Sequence, residues 1–243
     1  MIKLSLCIPT YNRPAMTIEA FEKVYTDNRI DEIIIVDDCS HEYNYSVMVE
    51  KCKDVVNRMG INKFSIHRNN KNLGMSRNKA MALSLAKNDW CILFDSDNIL
   101  YKDYLDAFYS IIPNEGDEPI KNIIYCPDFA KPNFNYKSLS GHAFTATMVA
   151  HQIASNDALN MAMNTCNYIV NKSAYLKTYK YNPDHIASDT IWFNYNWMLN
   201  DGRFYFVPGM EYLHRVHKES GFLQNAVYNM QKAEEVKKLI TQL

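Results

Sequence analysis

Two aspartates that lie close together in the sequence are well suited to metal chemistry. Asp95 and Asp97 flank Ser96 directly after the apolar run WCILF at residues 90–94, which predicts a buried strand. Carboxylates two residues apart at a strand end can bind one hard cation, and Mg²⁺ or Mn²⁺ prefers oxygen ligands while keeping positions open for phosphate groups. We therefore predict an Mn²⁺ or Mg²⁺ site at this loop. The same pattern is also typical of a solvated acidic turn or of a helix start, so it needs support from other motifs.

Polar side chains also follow the other apolar runs of the first half of the chain. The candidate residues that follow the runs at 4–8, 32–36 and 64–67 are Pro9, Thr10, Tyr11, Arg13, Asp38 and Arg77. Because ligands bind beyond the carboxyl ends of the strands in an open parallel sheet, we expect these residues to meet the acidic pair at one edge. Acidic and basic groups together favour an anionic ligand that is held partly through a metal.

The elements that must position these residues are short apolar runs alternating with amphipathic stretches. Strands are predicted at residues 4–8, 32–36, 64–67, 90–94 and 123–126. Helices are predicted between them, with Pro14 in the first turn of one and Ser76 as the N-cap of another. This series predicts right-handed βαβ units and a mainly parallel sheet flanked by helices. Only residues 114–119 resemble a linker, so we predict one α/β domain over residues 1–243.

The second half of the chain is less regular. A loop is predicted at residues 128–141, helices at 145–163, 188–199 and 225–243, and strands at 167–170 and 204–207. The last helix carries an apolar stripe, so we expect it to pack on the core or to form a homodimer interface. Its lysines are few, which makes peripheral association with a membrane the weaker interpretation.

Composition and charge exclude several classes of protein. The 243 residues include 26 Lys and Arg against 27 Asp and Glu, and this balance argues against nucleic acid as a partner. No window approaches 18 uninterrupted apolar residues and the first residues do not have the pattern of a signal peptide, so no transmembrane segment is expected. The six cysteines never form a C-x-x-C pair, which predicts reduced thiols in a cytoplasmic protein. Dinucleotide-binding and P-loop glycine motifs are absent from the sequence.

Four segments in the first 110 residues form one recognisable set. They are LSLCIPTYNRP at residues 4–14, EIIIVDDCS at 32–40, NLGMSRN at 72–78 and DSD at 95–97. In order and spacing they resemble family 2 glycosyltransferases of the GT-A fold, whose N-x-G-x-x-x-A-R-N segment is slightly shortened here. The resemblance implies a Rossmann-like nucleotide-sugar-binding half at residues 1–110 and an acceptor half with a C-terminal helix at residues 111–243.

Three later segments resemble the same family more weakly. CNYIVNKSAY at residues 166–175 is similar to the strand and helix that carry acceptor-site residues. IASDTIW at 186–192 is similar to the family's E-D-x-x-[FLW] segment, with Ser188 where glutamate is usual, and implies that Asp189 is the general base. YLHRVHKES at 212–220 is similar to an R-x-H-x-x-S segment and implies that His217 reaches the metal or the diphosphate.

The resemblance implies an inverting transfer of sugar from a UDP- or GDP-linked donor to an acceptor hydroxyl, in polysaccharide or glycan biosynthesis. The acceptor would be a glycan, a lipid-linked molecule or a protein. The implied nucleotide-binding residues are Pro9, Thr10, Tyr11, Arg13, Asp38, Arg77, Asp95 and Ser96, and the implied metal ligands are Asp95, Asp97 and His217. Asp189 would take the proton from the acceptor hydroxyl.

Two other functions remain open at this point. A sugar nucleotidyltransferase would use the same acidic pair and metal, but usually needs a glycine-rich basic loop after the first strand, and residues 9–13 contain no glycine. A catalytically silent protein that binds a nucleotide sugar is compatible with the serine at position 188. Hydrolysis of a nucleotide sugar in the presence of Mn²⁺ would separate an enzyme from such a binding protein.

Overall fold

The computed structural model describes residues 2–112, 117–186, 188–217 and 226–243. The strands are β1 Leu4–Thr10, β2 Ile30–Asp37, β3 Phe64–Arg68, β4 Trp90–Leu93, β5 Ile123–Lys131, β6 Phe134–Asn135, β7 Ala143–Phe144, β8 Tyr168–Asn171 and β9 Arg203–Leu213. The helices are α1 Pro14–Glu22, α2 Glu42–Met59, α3 Met75–Ser84, α4 Lys102–Ser110, α5 Ala146–Gln152, α6 Asp157–Ala162, α7 Lys172–Thr178, α8 Asp189–Leu199 and α9 Ala226–Ile240. Short 3₁₀ helices lie at Lys137–Leu139 and Pro183–His185.

All nine of these strands belong to one sheet. Its order is β3-β2-β1-β4-β8-β5-β9-β7, with β6 paired to β5. The first four strands are parallel, as the alternation of apolar runs and helices predicts. The second half joins through β8, which runs antiparallel to both β4 and β5, while β5 and β9 are parallel. The predicted α/β class is confirmed, and the parallel order is a property of the first half.

Alternating side chains along the strands build a core on each face of the sheet. On β1, Leu6 and Ile8 point to the core covered by α1, α2 and α4, whereas Cys7 points to the core covered by α3 and α5–α9. Apolar residues on both faces of a strand are what a sheet covered on both sides requires. The six cysteines are free thiols, five of them buried.

Several predicted element boundaries change in the structure. The helix predicted at residues 145–163 is two helices, because Asn156 accepts a hydrogen bond from the backbone N–H of Leu159 and caps a new helix. The predicted loop at 128–141 contains the end of β5 and its hairpin partner β6. The prediction that Ser76 caps α3 is wrong: Gly74 holds that position with φ +85°, and the Ser76 hydroxyl donates to the Tyr179 hydroxyl.

The C-terminal helix packs on the protein with part of its predicted stripe. Ala233, Val236 and Ile240 are buried, whereas Val227 and Met230 are exposed. Residue 225, where this helix was predicted to begin, and residues 114–116 of the predicted linker lie outside the described residues. A homodimer interface on this helix stays a prediction. Among the described residues, no helix is both long enough and apolar enough to cross a bilayer.

Candidate active site

The register of the sheet brings five chain segments to one edge. Thr10 on β1 pairs with Asp37 on β2, so that the residues following these strands are neighbours. Leu93 at the end of β4 pairs with Tyr168 at the start of the antiparallel β8, so residues 166–167 lie beside the acidic loop. An isolated bridge joins Ile99 to Leu213 and brings the end of β9 to the same place. This is the edge at which the sequence predicts a ligand.

Asp97 receives two of the predicted side chains. Its Oδ2 lies 2.7 Å from Nη1 of Arg13 and 3.0 Å from Nε2 of His217. Nδ1 of His217 is buried and has no hydrogen-bond partner among the described residues. The structure therefore brings together residues from three distant parts of the sequence, the loop after β1, the loop after β4 and the segment after β9.

Asp95 faces the start of β8 instead. Its Oδ2 accepts hydrogen bonds from the Cys166 thiol at 2.7 Å and from Nδ2 of Asn167 at 3.2 Å, while its backbone N–H donates to Oδ1 of Asn167 at 2.7 Å. Burial raises the pKa of the Cys166 thiol, and the Asp95 carboxylate raises it further, so this thiol stays protonated and donates. Asn167 adopts a left-handed conformation with φ 66°, which asparagine tolerates better than most residues.

Asp189, the predicted base, is joined to the acidic loop by a buried lysine. Nζ of Lys79 on α3 lies 3.0 Å from Oδ2 of Asp189 and 3.9 Å from Oδ1 of Asp95. Burial alone lowers the pKa of Lys79, but the Asp189 and Asp95 carboxylates outweigh burial and hold the pKa well above its usual range. Lys79 is therefore a charged ammonium between two carboxylates that come from different halves of the chain.

The predicted nucleoside side of the site is built from the loops after β1 and β2. Tyr11 is exposed, and Pro9 is half-buried beside it. The Thr10 hydroxyl lies 2.7 Å from the Thr17 hydroxyl and is buried, as is Ser96. The positions of Pro9 and Tyr11 are compatible with ligand contact, whereas Thr10 uses its hydroxyl inside the protein.

Asp38 and Arg77 also have partners within the protein. The Asp38 carboxylate accepts hydrogen bonds from the backbone N–H groups of Leu73 and Gly74 and from Nδ2 of Asn69. Asp38 thus fixes the loop that leads into α3, and direct contact between this carboxylate and a nucleotide stays a prediction. The Arg77 guanidinium lies over the Tyr181 ring, 3.7 Å from its centroid, so its predicted contact with phosphate requires it to leave this ring.

Arg215 fastens the segment that carries His217. Its guanidinium donates to the backbone carbonyl of Asp97 and forms an ion pair with Glu19 on α1, and its backbone N–H donates to Oδ1 of Asn98 at 3.1 Å. The predicted R-x-H-x-x-S segment is described only to residue 217, and its remainder lies outside the described residues.

The predicted metal ligands are only partly assembled. Asp97 and His217 are in contact, whereas Oδ2 of Asp95 is hydrogen-bonded to Cys166 and Asn167. Within the described ranges, no three His, Cys, Asp or Glu side chains form a group that could hold a metal ion.

Sequence reasoning missed four residues of this edge: Lys79, Cys166, Asn167 and Arg215. Cys166, Asn167 and Arg215 lie inside the segments at residues 166–175 and 212–220 that resemble the family, although no role was assigned to them. Lys79 lies one position beyond the segment at residues 72–78. The contacts themselves join residues 71 to 118 positions apart, which local patterns do not report.

Comparison with known proteins shows the family to which this chain belongs. The family model described as Glycosyl transferase family 2 matches residues 5–167, more than half of the chain. The chain belongs to glycosyl transferase family 2, and the family prediction from the four motifs is confirmed.

The chain is also similar to a curated abequosyltransferase and to solved glycosyltransferase structures. It is 32% identical over 117 residues to the abequosyltransferase RfbV of Salmonella typhimurium, a match that covers 47% of this chain and 34% of RfbV. S. aureus TarS in complex with UDP-GlcNAc matches 98% of this chain and 65% of that chain, with a TM-score of 0.68 and 18% identity. The mannosyltransferase PcManGT from Pyrobaculum calidifontis, in complex with GDP-Man and Mn²⁺, matches 96% of this chain and 64% of that chain, with a TM-score of 0.60 and 13% identity.

These matches show the fold of the chain and how much of each relative it covers. The structural neighbours have the GT-A fold, so the predicted fold is confirmed. The match spans about a third of RfbV and slightly less than two thirds of the TarS and PcManGT chains.

Proposed function

We propose that this chain transfers a sugar from a nucleoside-diphosphate sugar to an acceptor hydroxyl during glycan synthesis. One observation carries the proposal: Lys79 contacts both Asp95 of the acidic loop and Asp189 at the start of α8. A donor group and an acceptor base must lie close together for a single displacement at a sugar carbon. Membership of the glycosyltransferase family supports the same function.

The donor would bind at the edge formed by the loops after β1, β2 and β4. The exposed Tyr11 ring offers a face on which a nucleotide base can stack, and the Asp38 carboxylate holds Leu73 and Gly74 of the loop that leads into α3. Arg13 and Arg77 supply positive charge for the diphosphate. TarS is solved with UDP-GlcNAc and PcManGT with GDP-Man, so UDP- and GDP-sugars are the first donors to test.

A divalent cation suits the donor atoms at Asp97 and His217. Carboxylate oxygen and imidazole nitrogen are ligands that Mn²⁺ accepts, and Oδ2 of Asp97 lies 3.0 Å from Nε2 of His217. Asp97 and His217 would hold the ion, and Asp95 would join them after exchanging its hydrogen bonds with Cys166 and Asn167. A bound cation would offset the negative charge that develops on the leaving nucleoside diphosphate. PcManGT, whose structure contains Mn²⁺, supports this part of the proposal.

Asp189 would act as the general base. It is the first residue of α8, it is largely buried, and it borders a small cavity lined by Ser76, Tyr179 and Trp192. An acceptor hydroxyl hydrogen-bonded to Asp189 would lose its proton to the carboxylate as it attacks the sugar carbon. Attack from the side opposite the leaving diphosphate would invert that carbon.

The binding step can be tested without knowing the acceptor. We expect UDP-GlcNAc, GDP-Man or another nucleotide sugar to raise the melting temperature in the presence of Mn²⁺, because a ligand at a hundredfold excess over its Kd stabilises a protein by about 2.7 kcal/mol. Asp103→Asn, which changes an exposed residue of α4, is the control. Its melting temperature should rise by the same amount as that of the wild type. If no nucleotide sugar or nucleoside diphosphate shifts the melting temperature with Mn²⁺ or Mg²⁺, the proposal fails.

A further inference from the structure

Lys79 belongs to none of the family motifs in the sequence, since the segment at residues 72–78 ends one position before it. We propose that Lys79 is a positioning residue for sugar transfer, which holds the Asp189 carboxylate in place beside the acidic loop. The inference rests on the proposed function and deepens it, because it assigns the link between the donor side and the acceptor side of the site.

The contacts of Lys79 connect three separate elements. Its Nζ lies 3.0 Å from Oδ2 of Asp189, 3.4 Å from the hydroxyl of Thr190 and 3.9 Å from Oδ1 of Asp95. The lysine is on α3, the first two partners are in the first turn of α8, and the third is in the loop after β4. A single ammonium group therefore sets the separation of the two carboxylates.

The backbone that carries Lys79 is itself held firmly on the sheet. Nδ2 of the preceding Asn78 donates to the backbone carbonyl of Val36 on β2 at 2.9 Å, and its Oδ1 accepts from Nδ2 of Asn69 at 2.9 Å. Asn78 is buried, and its backbone N–H donates to the carbonyl of Gly74. A lysine side chain is flexible in water, but here hydrogen bonds of the neighbouring Asn78 hold the backbone in place. Contacts with Asp189 and Thr190 hold Nζ, so the ammonium group is preorganised.

Lys79 and Asp189 form a buried ion pair, not a pair at the protein surface. Lys79 is 6% exposed and Asp189 is 8% exposed. A charge pair at this depth is costly to desolvate, and a well-packed apolar pair would often be as stable or more stable. Fold stability alone therefore gives weak grounds for charged groups here, whereas fixing a general base beside the acidic loop would account for them.

The test compares Lys79→Met and Asp189→Asn with the double variant that combines them. The wild type and each variant are incubated with the nucleotide sugar that gives the largest thermal shift, Mn²⁺ and a panel of glycan acceptors, and kcat and KM for the donor are measured. Lys53→Met, at an exposed position of α2, is the matched control. We expect Lys79→Met to lower kcat by roughly 100-fold or more, on the scale of a general-base contribution, with a change in KM of less than about threefold.

The double variant separates positioning from support of the fold. If Lys79 acts through Asp189, adding Lys79→Met to Asp189→Asn should lower kcat by less than about threefold, because the two effects are then not additive. Removing both charges together should also recover most of the melting temperature that either single variant loses, without recovering activity. Should Lys79→Met alone be too unstable to purify, the comparison of the double variant with Asp189→Asn still decides the question.

The outcomes distinguish this inference from the function on which it rests. A wild type that releases no nucleoside diphosphate from any nucleotide sugar contradicts the proposed function, and the role of Lys79 with it. An active wild type with a Lys79→Met variant as fast as Lys53→Met overturns the inference about Lys79 alone. So does a full multiplicative loss in the double variant, because it would show that the lysine does not act through Asp189.

Discussion

The two aspartates of the acidic loop have different partners, and this difference sets their expected roles. Asp97 faces Arg13 and His217, a cation and an imidazole, whereas Asp95 faces the protonated thiol of Cys166 and the amide of Asn167. We therefore expect Asp97 to contact a bound cation directly, and Asp95 to do so once its hydrogen bonds with Cys166 and Asn167 are exchanged.

Removing the charge of Asp97 should abolish metal-dependent nucleotide binding while the fold survives. Asp97→Asn loses the ionic contacts with Arg13 and with a cation, but the side chain stays the same size and can still form hydrogen bonds. Calorimetric titration of UDP and GDP with Mn²⁺ measures the effect, and Asp95→Asn should behave similarly. Asp103→Asn should leave the affinity unchanged, and equal affinity in all three variants would refute the metal role.

Asp189→Asn should slow transfer far more than it weakens donor binding. Loss of a general base lowers the rate by roughly 10²–10⁴-fold, while nucleotide affinity, set by the other loops, stays near that of the wild type. Because the variant also leaves the buried Lys79 with one less carboxylate, we expect the free energy of unfolding to fall by about 1–3 kcal/mol.

Transfer assays and urea unfolding of the same Asp189→Asn preparation check both statements. Normal turnover together with lower stability would show that Asp189 is a structural partner of Lys79 only. Attention would then move to Asp184 and His185 in the preceding 3₁₀ helix.

At the scale of elements, the end of β9 is joined to the acidic loop through Arg215. Its guanidinium contacts the backbone of Asp97 and the carboxylate of Glu19, and two residues later the chain delivers His217 to Asp97. The planar fork of arginine can serve two acceptors at once, which a lysine ammonium does with less defined geometry.

Arg215→Lys should therefore weaken Mn²⁺-dependent binding of UDP or GDP by about tenfold, because His217 is no longer held in place, and tenfold in affinity is about 1.4 kcal/mol. Arg203→Lys is the matched control, since Arg203 is exposed at the first position of β9, the strand that leads to Arg215. Calorimetry with and without Mn²⁺ measures the change. An equal loss in both variants, or a loss that is independent of the metal, would contradict the role of Arg215.

How well the elements can be predicted from the sequence depends on how local their signals are. The runs at residues 4–8 and 32–36 are apolar on both faces, and they appear as β1 and β2 with extended ends. β9 was predicted as four residues but has eleven, because its outer half is stabilised by pairing with β5 and not by an apolar pattern. The helix at 145–163 was predicted as continuous because the cap at Asn156 lies within a helix-favouring composition.

The site follows the same division. Asp95 and Asp97 were predicted from their place after an apolar strand, and Asp189 and His217 from the family motifs. The structure brings Asp97 to His217, and it brings Asp95 and Asp189 to one lysine. Lys79 itself has no motif, and a lone lysine on a predicted helix is usually a solvated residue. Its partner Asp189 lies 110 positions away, so only the packing of α8 against α3 reveals the pair.

At the scale of the whole molecule, one continuous sheet carries both halves of the site. The antiparallel pairing of β8 with β4 joins the second half of the chain to the first, and Asp95 of the acidic loop is hydrogen-bonded to Cys166 and Asn167 from the second half. The halves predicted at residues 1–110 and 111–243 therefore share a sheet and the supports of one loop. We expect them to unfold together.

Coincident unfolding transitions would confirm this cooperation between the halves. Trp90 lies in the first half, and Trp192 and Trp197 lie in the second. Far-UV circular dichroism and the fluorescence of Trp90 in a Trp192→Phe, Trp197→Phe background should give the same midpoint in urea, as two-state unfolding requires. Fluorescence and circular dichroism transitions that separate clearly would show that the halves are independent.

The central claim is that this edge of the sheet activates a nucleotide sugar, and the most direct measurement is the release of nucleoside diphosphate. The purified protein is incubated with UDP-GlcNAc, GDP-Man and further nucleotide sugars, with Mn²⁺ and with glycan acceptors, and free UDP or GDP is quantified. We expect release from at least one donor, release at least about 100-fold slower in Asp97→Asn, and a normal rate in Asp103→Asn. No release from any donor, or an unchanged rate in Asp97→Asn, would contradict the central claim.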